Sequence, residues 1–148
     1  IRKFADIPEQ LTLAVSLHSA IQSTRNKLMP GVKKYTLLRL HEALQLYTEK
    51  TGRRPTYEYA MIEGVNDTNP EMQALSDFCE GTLCHVNLIQ LNDIEGSPLK
   101  PSPIHKVEDL QRRLESRGIE TTIRNSRGND IDAACGQLKQ RFKVQKNA

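Results

Sequence analysis

A thiol near the C-terminal end, Cys135, has the surroundings that most suggest chemistry. It stands between Ala133-Ala134 and Gly136, small neighbours that leave a sulfur open to a bulky reactant. Arg124 and Arg127 upstream would favour the nucleophilic thiolate, whereas Asp130 and Asp132 would oppose it. The residues alone leave that balance open, and a cysteine beside alanines is more often a small apolar core residue. Further polar groups fall where apolar runs end: Ser16 and His18, Asn66-Asp67, and Asn92. A histidine there suits a general base, a metal ligand or a donor to a ligand, with a purely structural histidine an equal alternative. Asn92 and Asn66-Asp67 sit where turns commonly place such residues, and the turn reading leads for them. Glu58 and Glu63 form no evident acid/base pair. No phosphate loop, dinucleotide fingerprint or serine elbow occurs.

The elements that must position these groups alternate regularly. Residues 11–17 are β-rich and nearly all apolar, as in a strand buried on both faces. A loop over 20–32 leads to a helix over 36–51, whose inward stripe is Leu37, Leu40, Leu44 and Tyr47 and whose stop is Gly52. A strand over 55–62 precedes a short helix with Asn69 as cap, Pro70 as first residue and Met72, Leu75 and Phe78 inward. Residues 84–91 form a third buried strand, and a Pro/Gly-rich loop over 93–101 follows. The next helix begins at Ser102-Pro103, carries Ile104, Val107, Leu110 and Leu114, and stops at Gly118. Residues 119–124 are the fourth strand, and a last amphipathic turn or helix runs through Leu138 and Phe142.

Strands alternating with helices imply an α/β fold with a mostly parallel sheet and right-handed crossovers. It is either an open wound sheet or an arc of a (β/α) barrel. A closed eight-stranded barrel takes roughly 250 residues, so 148 residues would make about half of one. In both, function gathers at the carboxyl ends of the strands. There a histidine, an asparagine and a cysteine from three strand ends could face one pocket.

Composition adds bounds. With 37% hydrophobic and 26% charged residues the chain reads as one globular domain, and its apolar runs are strand-sized, too short for a membrane-spanning helix. The first residues lack a methionine and a signal-peptide layout, which suggests a piece of a longer protein. The net charge is +3, with basic clusters at Lys33-Lys34, Arg53-Arg54, Arg112-Arg113 and the tail after Leu138. Such clusters can meet phosphate, although a solvated helix face is the commoner meaning. Three cysteines, an odd number, argue against a disulfide framework and fit a reducing cytosol. Cys79 and Cys84 are a poor match to zinc spacing and are expected in the core; a metal site from this chain alone is improbable.

Several segments together resemble one family: Leu13-Ala14-Val15-Ser16-Leu17-His18, Leu28-Met29-Pro30, Thr51-Gly52-Arg53-Arg54, Glu58-Tyr59-Ala60-Met61-Ile62 into Gly64-Val65-Asn66-Asp67, His85-Val86-Asn87-Leu88-Ile89, and Asp130-Ile131-Asp132-Ala133-Ala134-Cys135-Gly136-Gln137-Leu138. In order and spacing they are similar to the radical S-adenosylmethionine RNA adenine-C2 methyltransferases, the RlmN/Cfr group. The last motif is the most specific.

This resemblance implies the C-terminal half of a partial (β/α)6 barrel, a single domain over residues 1–148. It implies S-adenosylmethionine contacts from Ser16, Leu17, His18 and Asn92, and a catalytic Cys135 that carries the methyl group as methyl-cysteine. It further implies a [4Fe-4S] cluster in the full-length parent, a deoxyadenosyl radical, and methylation of carbon 2 of an adenosine in ribosomal RNA and, in many members, transfer RNA. Basic clusters would then hold the RNA backbone.

The cluster-binding Cys-x-x-x-Cys-x-x-Cys motif, a second catalytic cysteine and the family's N-terminal RNA-binding region are not in this sequence, so the chain alone is expected to be inactive. The stretch from Gln90 to Gly96 departs from the proline-rich loop of the family, and Gly31-Val32 replaces the usual residues after Met29-Pro30. The alternatives are a sibling that methylates carbon 8, a non-catalytic RNA-binding module with the same fold, and an unrelated barrel enzyme that takes a phosphorylated metabolite. Half a barrel leaves edges uncovered, which predicts self-association.

Overall fold

In a computed structural model the described residues are 1–7, 9–93 and 96–124; Cys135 and its flanking motif lie outside them. A 3-10 turn (Arg2–Asp6) leads to β1 (Ala14–Ser16), α1 (Gln22–Leu28), a second 3-10 turn (Pro30–Val32), α2 (Leu37–Thr51), β2 (Thr56–Met61), α3 (Asn69–Cys79), β3 (His85–Gln90), α4 (Ile104–Glu115) and β4 (Glu120–Arg124). The four strands lie in sequence order, β1-β2-β3-β4, and every pairing is parallel.

That order decides between the two architectures. A doubly wound sheet reverses its strand order to put helices on both faces, whereas strictly sequential right-handed crossovers put them all on one. Leu40 and Leu44 of α2, Met72 and Leu75 of α3, and Val107, Leu110 and Leu114 of α4 form a single core cluster with Tyr57, Tyr59, Met61, Val86 and Leu88. The alternate strand positions make the other face. Register aligns Ser16 with Glu58, Glu58 with Asn87 and Asn87 with Thr122, one polar row across all four strands. One face is apolar and covered by helices, the other polar and open, as in a barrel arc.

Helix ends follow local chemistry. The Thr36 side chain accepts from the Arg39 N–H at the start of α2, and Gly52, at φ 65°, ends that helix with its N–H on the Thr48 carbonyl at 2.8 Å. α3 has Thr68 rather than Asn69 at its N-cap position, one residue from the expected one and without a side-chain cap bond.

Four expectations are corrected. The first strand is only Ala14–Ser16, and Leu11 is 42% exposed, because β1 has one strand neighbour and one helix-covered face among the described residues. β3 is likewise covered on one face only: His85, Asn87 and Ile89 stay partly exposed on the open side. The segment 20–32 contains α1, held by polar bonds without an apolar stripe: Gln22 Nε2 donates to Asn26 Oδ1, and Gln22 Oε1 accepts from the Leu37 N–H, both within 2.8 Å. Ile104, expected inward, is 45% exposed. Cys79 and Cys84 are buried at the opposite end of β3 from the strand ends under discussion, as core residues.

Replacing fully buried Leu110 by alanine is expected to cost about 2–5 kcal/mol. The same change at Leu38, 69% exposed, should stay within about 0.5 kcal/mol. Urea unfolding of the two variants checks the contrast.

Candidate functional site

The carboxyl edge of the sheet is organised by Asn66, which follows β2 and is fully buried. Its Nδ2 donates to the carbonyls of His18 and Ala60, each at 2.7 Å, and its Oδ1 accepts from the Ile62 N–H at 2.7 Å. One carboxamide thereby satisfies backbone groups where the β1–β2 ladder ends. Its own carbonyl accepts from the buried Tyr59 hydroxyl at 2.9 Å.

Asp67 does the same for the next connection. Oδ1 accepts from the Gly64 N–H at 2.8 Å, in a turn that puts Gly64 at φ 67°, where a side chain would be strained. Oδ2 accepts from Ser102 Oγ at 3.1 Å and Lys106 Nζ at 3.0 Å, tying the β2 exit to the start of α4. A simple turn role for Asn66-Asp67 therefore understates them. They are interior clamps, and burial was the feature their residue types could not reveal.

His18 is held by this frame in a left-handed conformation, φ 55°, the one such non-glycine residue among those described. That conformation costs on the order of 1 kcal/mol and persists only where surroundings fix it. Here three contacts do. The His18 N–H donates to the Glu58 carbonyl at 3.3 Å, the His18 carbonyl accepts from Asn66, and His18 Nδ1 accepts from the Ala60 N–H at 3.1 Å. With Nδ1 accepting, the neutral ring carries its proton on Nε2, which has no partner among the described residues. Burial lowers the imidazole pKa; the Glu58 carboxylate opposes that and the Arg25 charge adds to it. The ring is thus a neutral donor rather than a cation near pH 7.

Ser16, at the end of β1, is exposed on the open face, and the Leu17 side chain is fully buried, so only its backbone can meet a ligand. Ser19, beyond His18, is buried with its hydroxyl on Glu71 Oε2 at 2.7 Å. Asn92 follows β3 at the same carboxyl edge, and its Oδ1 is a buried acceptor with no hydrogen bond among the described residues. An orphaned buried acceptor fits a ligand that brings a donor, such as an amine or hydroxyl. The structure therefore brings Ser16, Leu17, His18 and Asn92 to one edge; Cys135 lies outside the described residues.

The polar row on the open face adds groups that the sequence left unnoticed. Asn87 Nδ2 donates to Glu58 Oε2 at 2.9 Å, and Thr122 Oγ1 donates to Asn87 Oδ1 at 3.2 Å. The signal was the alternation of polar residues at 56 and 58, 85 and 87, and 122, once the apolar alternates are assigned to the helix-covered face. Among the described residues no group of three or more His, Cys, Asp or Glu could hold a metal ion, and no helix is long and apolar enough to cross a membrane.

No family model matches the chain. A probable dual-specificity RNA methyltransferase RlmN from Clostridium perfringens is 42% identical over 142 residues, 96% of this chain and 41% of that protein. A radical SAM methyltransferase from Sphaerobacter thermophilus superimposes with a TM-score of 0.86 at 41% identity, covering 92% of this chain and 40% of that one. A domain of pyruvate-formate lyase-activating enzyme from Bacteroides vulgatus shares the fold alone, with a TM-score of 0.60 at 15% identity over 76% of this chain and 66% of that domain.

Lowering the pH should expose the His18 environment. Because its folded pKa lies below the ordinary 6.5, the unfolded chain takes up the proton first. The group's contribution to stability is complete above that value and declines as pH falls through it. Urea midpoints at pH 7.5 and 5.5 should differ less in His18→Asn, whose side chain tolerates positive φ, than in the wild type; equal differences would contradict the assignment. Over nearly its whole length the chain is homologous to the RlmN-type radical SAM methyltransferases, and it spans about two-fifths of the length of the relatives it matches.

Proposed function

We propose that the chain is the C-terminal part of the catalytic domain of a radical S-adenosylmethionine RNA methyltransferase, acting on carbon 2 of an adenosine in large-subunit ribosomal RNA and in transfer RNA. The observation that carries this reading is the pinned His18 and an Asn92 Oδ1 that is buried and without a partner among the described residues, both at one carboxyl edge, in a chain homologous to RNA methyltransferases.

Ser16, the Leu17 backbone, His18 and Asn92 are assigned to S-adenosylmethionine. His18 offers Nε2–H as a neutral donor, and Asn92 offers Oδ1 as an acceptor; the clamp on His18 fixes the first before a ligand arrives, which lowers the ordering cost of binding. Cys135 is assigned as the residue that accepts a methyl group on sulfur and presents it to the RNA base. When bound, S-adenosylmethionine supplies that methyl and, beside a reduced iron–sulfur cluster, the radical needed to activate it. The sequence has no Cys-x-x-x-Cys-x-x-Cys motif, so the cluster ligands are assigned to the rest of the full-length protein. The free edge of β1 and the open polar face are what the rest of a barrel would cover, and the chain by itself would self-associate there.

Reconstituting the full-length protein with its cluster and digesting the treated RNA to nucleosides tests this by mass spectrometry. We expect 2-methyladenosine from the wild type and a loss of at least about 100-fold in Cys135→Ala. Undiminished product from that variant rejects the methyl-carrier role, and a different modified base rejects the carbon-2 assignment.

A further inference from the structure

Beside the strand-end site, a cleft of about 540 Å³ opens between the N-terminal 3-10 turn, α1 and α2. Arg2, Lys3, Arg25 and Arg39 line it, four cations with no carboxylate among the lining residues. None of the four belongs to an ion pair among the described residues.

Arg25 is the informative member. It is 4% exposed, yet among the described residues its one side-chain hydrogen bond is from Nη1 to the Tyr35 carbonyl at 3.2 Å, and its buried Nε–H has no acceptor there. A guanidinium taken out of water without a counter-charge is costly, and a fork of N–H donors matches phosphate. Tyr35, also lining the cleft, is 50% exposed and carries the Lys34 ammonium 5.1 Å from its ring centroid. Cations interleaved with an exposed aromatic ring suit a nucleic-acid strand better than an isolated carboxylate. Arg25 lies on α1, which begins at Gln22 directly after the His18-Ser19 strand exit, so this wall of the cleft continues from the carboxyl edge, and the Arg25 charge helps lower the His18 pKa.

We propose that this cleft seats a backbone phosphate of the RNA, with Arg25 and Arg39 as phosphate ligands and Tyr35 as a stacking surface for a flanking base. The inference rests on RNA being the substrate. A phosphate held there would set the strand's position relative to His18, fixing the approach of a base to the site without reading its sequence.

Fluorescence anisotropy with a labelled 20-nucleotide RNA hairpin, titrated with the full-length protein over a salt series, tests it. Arg39→Gln and Arg25→Gln should each weaken binding and reduce the slope of log affinity against log salt by about one. Tyr35→Ala should weaken binding at least about fivefold with the slope unchanged, and Arg117→Gln, whose side chain pairs with Asp77 at 2.9 Å, should match the wild type. Arg39 is exposed, so Arg39→Gln reports even if Arg25→Gln fails to fold. Wild-type affinity and slope in Arg39→Gln overturn the proposal, as does absence of hairpin binding by the wild type. The same proteins in the methylation assay separate the two readings. Methylation with an unchanged KM for RNA in Arg39→Gln removes the cleft alone, whereas cleft-dependent binding without any methylation removes the enzymatic reading and leaves the seat.

Discussion

A parallel sheet has to finish its hydrogen bonding somewhere, and in this protein the finishing group is the carboxamide of Asn66. Where β1 and β2 stop pairing, carbonyls of both strands and one N–H would be left buried without partners, each costing about 1–3 kcal/mol. Asn66 meets three of them at once, His18, Ala60 and Ile62. The left-handed turn at His18 is held by that carbonyl bond, its ring is oriented by the Ala60 N–H, and the following Ser19 is buried on Glu71. Asp67, next in sequence, extends the frame to Ser102 and Lys106, so the same four-residue turn after β2 anchors its neighbours on both sides. Only asparagine offers an acceptor and two donors in so short a side chain.

The one-sided sheet explains why polar groups gather where they do. Helices α2, α3 and α4 consume the apolar side chains on one face, and the register leaves Ser16, Glu58, Asn87 and Thr122 in a hydrogen-bonded or adjacent polar row on the other. A polar face is poor core material but suits a ligand rich in donors and acceptors. Its carboxyl edge adds a neutral imidazole donor from His18 and an Asn92 acceptor with no partner among the described residues. Rigidity comes from the helix-covered face, and selectivity from the open one.

Much of this was legible in the chain. The alternation of strand and helix, the stripe of Leu40, Leu44 and Tyr47, and the stop at Gly52 are local patterns, and local patterns survive into the fold. The homology was legible in the strand-end segments. What stayed hidden depends on burial and on partners far away in sequence. Residues 11–17 look apolar enough for a central strand, yet only Ala14–Ser16 pair, because apolar content does not say how many faces are covered. α1 has no apolar period, since its buried member is Arg25 and its bonds run through Gln22. Asn66 and Asp67 have the composition of an ordinary turn, and only their distant acceptors and donors mark them as a frame.

The central claim is that the edge framed by Asn66 is where S-adenosylmethionine binds. Hydrogen–deuterium exchange on the full-length protein, with and without S-adenosylmethionine, addresses it most directly. The account predicts added protection in residues 16–19, 60–67 and around Asn92, with the outer surface of α4 unchanged. Unaltered exchange in those three segments, with protection confined to other parts of the protein, would contradict it.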